Sequence, residues 1–313
     1  CGDNDDHGIS LYNYSRLVSI IDNTCNNNSM HGIILYDYTD DNTLVNNTCN
    51  GNGAVGIRLY RADYNVLVNN TCSWNNLDGI YVQRGVENSV TSNVCTHNAR
   101  NGIRLYRSTN NNVIASNICT RNAEEGVMLY LYSHWNVVVN NTCDDNSMSG
   151  IKVDNTNECT VANNTCDGNS RYGLYLFGSD HNDVVDNICR NNSEEGIMVY
   201  FADWNTVSGN DCSNNTLEGM RVWQSLGNTL ANNTCADNGW QGILVVEGSS
   251  RQNMVANNTV VGNTLGGIVL QEVTENDIIN NICNNNLAAG IQLVDSDDNT
   301  IVDNSVYGMN LFN

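Results

Sequence analysis

Cysteine, histidine, paired carboxylates and tyrosine are the residues here whose chemistry could carry a function, and their spacing decides what each can do. The chain has 13 cysteines and five histidines among 313 residues. Cys1, Cys25, Cys49, Cys72, Cys95, Cys119, Cys143, Cys166, Cys189, Cys212 and Cys235 recur in steps of 23 or 24 residues. Val260 then takes the place of one cysteine and Cys283 resumes the series. A structural zinc site wants paired CxxC or mixed Cys/His clusters, and this even spacing provides neither. Evenly spaced thiols read instead as small buried hydrophobes packed in a column. Cys159 falls out of phase, at a corner where neighbouring turns carry Asn136 and Asn182, and is expected to be exposed and reactive or a neutral replacement.

His7 and His31 share a phase; a two-His column can bind metal, but an isolated stacked pair is more often decoration. Acidic pairs occur at Asp5-Asp6, Asp40-Asp41, Glu124-Glu125, Asp144-Asp145, Glu194-Glu195 and Asp297-Asp298. Most fall at different phases and should project around the molecule as solvated surface. Glu124-Glu125 and Glu194-Glu195 do share a phase. Three turns separate them, or about 14 Å at the spacing of stacked strands, which is too far for a glycosidase carboxylate pair.

The strongest candidate for a site is aromatic. Tyr12, Tyr36, Tyr60, Tyr106, Tyr130, Phe177, Tyr200 and Trp223 occupy one phase, interrupted by Gln83 and Asp154. Two residues earlier stand Arg58, Arg104, Lys152 and Arg221. On a strand both positions point away from the core. Aromatic rings beside cations on a flat face can stack sugar rings or receive a partner, or they can simply cover the sheet, where aromatic residues are favoured.

What positions these residues is a repeat. An Asn stands two residues before each rung from Asn23 to Asn281, another three after it, and a glycine seven after it, from Gly8 to Gly290. An alternating apolar triplet follows each glycine, as in Ile33-Ile34-Leu35, and a second alternating run comes later in the turn. The period is two throughout, which specifies strands. A unit of 23 to 25 residues with short strands cannot bury its own apolar face, whereas stacked units share a continuous core. Asn satisfies corner backbone groups and tolerates left-handed geometry, and stacked amides bond from turn to turn. The glycine column is expected where a corner needs positive φ or close backbone approach.

The pattern N-x-(V/I/L)-x-x-N-x-C-x-x-N-x-x-x-G-I-x-L-Y resembles the repeat of the pectate-lyase-like superfamily, particularly its carbohydrate-binding and sugar-hydrolase group. The resemblance covers essentially the whole chain. It implies an all-β, right-handed parallel β-helix of about 13 turns forming one domain over 1–313. Lyases, hydrolases, epimerases, adhesins, surface-layer proteins and copper-site maturation proteins share that fold, so it does not fix the function. The clustered acids with Ca²⁺ of the lyases and the spaced aspartates with His of the polygalacturonases cannot be matched residue by residue. No cofactor is therefore expected, and Ca²⁺ is compatible with the acidic surface but indicated by no motif.

A net charge of −21 repels phosphate backbones and anionic headgroups. Nucleic acid is thus excluded as an expected partner, and no apolar run is long enough for membrane insertion. Absence of proline and abundance of Asn argue against an ordinary helical domain. Cys1 could carry a lipid, but its ladder phase explains it without one. Sequons such as Asn46 and Asn69 arise from the Asn-Asn-Thr-Cys corner and are weak evidence of glycosylation. The regularity of the turns favours a non-catalytic structural or adhesive protein at the cell surface or outside the cell, assembling end to end. A polysaccharide-binding or polysaccharide-degrading protein is the first alternative, and a protein of periplasmic metal handling the second. Enzyme activity is open, with non-catalytic favoured. Met309, Leu311 and Phe312 are the residues available to cover the last turn.

Overall fold

In the computed structural model, residues 1–307 are described, and every regular element among them is a β-strand. Met309, Leu311 and Phe312 lie outside the described residues. The strands form a right-handed parallel β-helix of about 13 turns. Handedness follows from the twist of the strands, which lets a parallel crossover close only one way. The chain divides into two compact units, Cys1–Thr160 and Val161–Asn313.

In the first unit a four-residue strand opens each turn: Ile9–Tyr12, Ile33–Tyr36, Ile57–Tyr60, Ile80–Gln83, Ile103–Tyr106, Val127–Tyr130 and Ile151–Asp154. These long strands pair in parallel with equivalent residues in register, for example Ile33 with Ile57 and Tyr36 with Tyr60. A three-residue strand such as Thr43–Val45 or Val66–Val68 follows in each turn and builds a second parallel sheet. A third side is made by single bridges such as Thr48 to Thr71, next to the cysteine column.

The second unit repeats the plan with Leu174–Phe177, Ile197–Tyr200, Met220–Trp223, Ile243–Val246, Ile268–Gln271 and Ile291–Val294. Here the third side matures into a true sheet of Thr234–Ala236, Thr259–Val261, Ile282–Asn284 and Ser305–Tyr307.

Each turn sends four side chains inward, and in the first unit they form ladders. Ile57, Ile80 and Ile103 make one, Leu59, Val82 and Leu105 a second, Leu67, Val90 and Ile114 a third, and Cys72, Cys95 and Cys119 the fourth; all are fully buried. Burying one such aliphatic side chain contributes roughly 1.5–3 kcal/mol, and the ladder repeats that gain every turn.

Asparagine closes the corners. Asn70 Oδ1 accepts from the backbone N–H of Asn47 at 3.0 Å and from its Nδ2 at 2.9 Å. Asn70 Nδ2 in turn donates to Leu44 O and to Asn93 Oδ1, both at 2.9 Å. A second ladder runs Asn52, Asn75, Asn98 and Asn122, and a third runs Asn42, Asn65, Asn88 and Asn112.

The structure decides two open alternatives. The ladder glycines are there for close approach and not for positive φ: a Cβ on Gly56 would meet Gly79 O at 2.7 Å and Cys72 Cβ at 2.8 Å. That packing ties the glycine column to the rung column, since ladder glycines such as Gly56 lie against a rung side chain. Where Val260 replaces a rung cysteine, a Cβ on Gly242 would lie 2.1 Å from its Cγ1. Cys159 is buried, which is the neutral-replacement alternative. Its Sγ takes the place of an Asn amide oxygen and accepts from Asn136 N at 3.4 Å, and burial pushes its thiol up to about 12.

Candidate functional site

The outward face of the long strands carries three columns, set by the alternation of the strand. The first is the residue before the ladder glycine, the second lies between the two core residues, and the third is the aromatic position. A fourth column follows at the corner, where the backbone turns left-handed, as at Arg61, Arg84 and Arg107 with φ of 49°, 57° and 60°. Left-handed geometry at residues other than glycine costs of order 1 kcal/mol, and here it throws each side chain out beside the aromatic column.

In the first unit the aromatic and cationic columns interlock. Tyr12, Tyr36 and Tyr60 follow one another, Tyr12 tilted against Tyr36 at 5.8 Å and Tyr36 stacked on Tyr60 with centroids 4.8 Å apart. The Arg58 guanidinium lies 5.9 Å from the Tyr60 ring and 5.5 Å from Tyr81. Arg104 lies 5.2 Å from Tyr81 and 4.8 Å from Tyr106, which stacks on Tyr130 at 5.4 Å. Arg61 and Arg107 cover Tyr60 and Tyr106 from the corner. Among the described residues no carboxylate bridges Arg58, Arg84, Arg104 or Arg107, and Nε of Arg58 and of Arg104 is buried without a partner.

The residues predicted from sequence thus come together within each unit. Tyr12, Tyr36, Tyr60, Tyr106, Tyr130, Arg58 and Arg104 form the array of the first. Phe177, Tyr200, Trp223 and Arg221 belong to the second, where Tyr200 stacks on Trp223 at 4.6 Å and Arg221 lies 4.7 Å from the Trp223 ring. Arg221 differs from its counterparts: Nη1 is held by Glu195 Oε1 at 3.4 Å.

Sequence reasoning missed the acidic column. Asp78, Glu125, Glu195 and Glu218 each precede a ladder glycine and are buried, between 0 and 4 % exposed. Sorting acids by adjacent pairs hid Asp78 and Glu218; sorting by distance from the glycine would have found them. Burial raises the pKa of all four. Asp78 is partly compensated by Asn101, whose Nδ2 donates at 2.8 Å. Glu218 is pushed up to about 7 by burial and by the neighbouring Glu195, with Arg221 and its own amide favouring the anion. Neither Glu218 carboxyl oxygen has a hydrogen-bond partner in another described residue. It lines a groove of about 480 Å³ together with Arg221, Trp240, Gln241, Leu244 and Glu272.

The histidine pair is structural. Rings of His7 and His31 stack 5.0 Å apart, His7 Nδ1 accepts from His31 N, and His31 Nδ1 accepts from Val55 N. Burial, with Arg58 beside it, lowers His31 to about 3.

A family model described as "Right handed beta helix region" matches residues 2–142. A second, described as "Periplasmic copper-binding protein (NosD)", matches 129–252 and 214–311, together more than half of the chain. No curated protein matches in sequence. Among solved structures, a double mutant of the periplasmic alginate epimerase AlgG superimposes with a TM-score of 0.63 at 13% identity, over 88% of this chain and 76% of that one. The A-module of Azotobacter vinelandii mannuronan C-5 epimerase AlgE6 gives 0.54 at 14% identity, over 92% and 80%. The enzymatically active domain of tailspike protein 2 of bacteriophage CBA120 gives 0.50 at 12% identity, over 89% of this chain and 47% of that one.

These matches define a right-handed parallel β-helix protein of the pectate-lyase-like superfamily. Within it, the chain belongs to the family described as NosD. The solved structures, at such low identity, show the fold alone.

Copper selects thiolate, thioether or imidazole ligands. Among the described residues no group of three or more His, Cys, Asp or Glu is placed to hold a metal ion. The stacked histidines spend their Nδ1 atoms on backbone amides. The described residues therefore do not fit the metal of the family description.

Proposed function

We propose that the protein acts outside the cytoplasm as a polysaccharide-binding β-helix, with the long-strand face of the first unit holding an acidic sugar polymer. The carrying observation is the row of guanidiniums without carboxylate partners. Acids outnumber bases 34 to 13 in this chain, so cations in random surroundings would find carboxylates. Five of the bases, Arg58, Arg61, Arg84, Arg104 and Arg107, gather on this face, and only Arg61 is bridged, to Asp37. Guanidinium forks match carboxylate and sulfate geometry, and the tyrosines between them offer flat faces for sugar rings.

Support from relatives points the same way. The structural neighbours named above are described as epimerases of mannuronan or alginate and as the active domain of a tailspike. That favours the polysaccharide reading over the non-catalytic structural one favoured by turn regularity. The location proposed is extracellular or periplasmic, in keeping with the periplasmic descriptions of the matched family and of AlgG.

A binding panel tests this. Acidic polymers such as polyuronates should bind at low salt and weaken as salt rises, because surface charges are screened. Neutral glucans should bind at least tenfold more weakly. Equal binding of neutral and acidic polymers, or none of either, would remove the reading.

A further inference from the structure

We propose that the groove of the second unit is a separate binding site for a protonated amine carried on a sugar ring, with Glu218 as its counter-charge. Nine buried side-chain polar atoms lack a partner among the described residues, and five belong to this groove and its strand: both carboxyl oxygens of Glu218, Arg221 Nε, Trp223 Nε1 and Gln241 Oε1. Native proteins leave few such groups, and each has a physical reason. A carboxyl fully buried with neither oxygen hydrogen bonded by another described residue can accept from a donor placed in the groove.

The sign of that donor follows from its surroundings. Glu218 lines the groove with Glu247 and Glu272, and Glu195 presses on it from the preceding turn. Arg221 is the one cation lining the groove, and Glu195 already holds it at 3.4 Å. Gln241, from the following turn, adds an acceptor oxygen. An anion would meet three carboxyl groups, whereas an ammonium would complete them. The walls supply the rest: Leu244 and Val246 are apolar, and Trp240 is 47% exposed. An aromatic face beside a cation is favourable, and about 480 Å³ lies in the range of small-ligand sites.

Binding is coupled to a proton. Without ligand, Glu218 holds its proton up to about pH 7. An ammonium beside it favours the anion, so the carboxylic O–H bond breaks and the proton leaves to buffer while the ammonium keeps its own. Carboxylates on the exposed surface are already ionised at pH 6, so unspecific attraction of a cation to this acidic chain releases none. The polysaccharide reading enters only through the ring that carries the amine; the charge argument stands without it.

Calorimetry of the full chain near pH 6 and 0.15 M salt, in two buffers of different ionisation heat, tests the site. A β-1,4-linked glucosamine tetramer should bind with release of about one proton per site. The N-acetylated tetramer, which has no charge, should bind at least tenfold more weakly. Glu218→Gln should cost at least tenfold in affinity for the amine tetramer and abolish the proton release. Should that variant fail to fold, Glu272→Gln on the groove rim should weaken the tetramer about threefold. Equal binding of both tetramers, or proton release unchanged in Glu218→Gln, overturns the proposal. Binding of a polyuronate by the same preparation reports separately on the first unit.

Discussion

The long-strand faces of the two units share one backbone plan and carry opposite chemistry. At the corner after the aromatic column the first unit places Arg61, Arg84 and Arg107, whereas the second places Glu247, Glu272 and Asp295, all with positive φ. Between the core residues, Arg58 and Arg104 have no carboxylate bridge, while Arg221 is tied to Glu195. Asp78 in the first unit is hydrogen bonded by Asn101; Glu218 in the second is hydrogen bonded by no other described residue. Inward ladders therefore fix the fold without reference to the ligand, and outward columns can change sign turn by turn. In a solenoid each turn contacts only its neighbours, so such changes need no compensation in the core.

That contrast gives ladder substitutions and outward substitutions different signatures. The largest effects should come from the ladders and be alike in both units. Gly79→Ala would drive a Cβ to 2.7 Å from Gly102 O, and Gly219→Ala to 2.7 Å from Gly242 O. Asn70→Ala would strip the acceptor of Asn47 N–H and the donor to Leu44 O; at about 1–3 kcal/mol for each orphaned group, the loss is about 2–6 kcal/mol. Urea unfolding should find the three similarly damaging. A ladder substitution that is neutral in one unit would break the comparison.

Next in size is the pH dependence of stability carried by Glu218. Its folded pKa, about 7, lies above the ordinary carboxyl value near 4.3. Between these values the folded protein binds more protons than the unfolded chain, so stability falls as pH rises through this window. A full shift of that size corresponds to roughly 3 kcal/mol. Glu218→Gln should flatten the fall and be the more stable protein at pH 8. Urea midpoints of both proteins from pH 4 to 8 check this, and parallel curves would contradict it.

Smaller effects belong to binding. Arg58→Ala and Arg104→Ala should each weaken an acidic polysaccharide about tenfold, the worth of one charge-assisted hydrogen bond. Arg221→Ala should leave that affinity unchanged. Replacing Tyr60, Tyr106 or Tyr130 by Ser should cost a few-fold each, since ring contacts contribute about 0.5–1.5 kcal/mol. Titrations that show Arg221→Ala as harmful as Arg104→Ala would erase the distinction between units.

Fold was legible because the ladders impose identity on every turn: the phase of Cys, Asn and Gly leaves one register in which all of them stack. The aromatic column was legible for the same reason, as strand alternation places Tyr60 and Tyr106 outward. Cys159 stayed open between an exposed thiol and a neutral replacement because burial depends on which neighbours a corner supplies, and Asn136 offers its amide. Glu218 was invisible as a site because an acid before a glycine resembles any surface acid until the fold closes over it. Nor does sequence distinguish the bridged Arg221 from the unbridged Arg104: each has an acid before the glycine of the preceding turn, Glu195 and Asp78, and only Glu195 forms an ion pair with its arginine.

The claim at the centre is that an acidic polymer lies along the unbridged guanidiniums of the first unit. Modification of arginines by phenylglyoxal, with and without saturating polyuronate and mapped by mass spectrometry of peptides, tests it residue by residue. Arg58, Arg84, Arg104 and Arg107 should be protected together, while Arg16, Arg121 and Arg251 keep reacting. Protection confined to those outlying arginines, or none under conditions where the polymer binds, would contradict it.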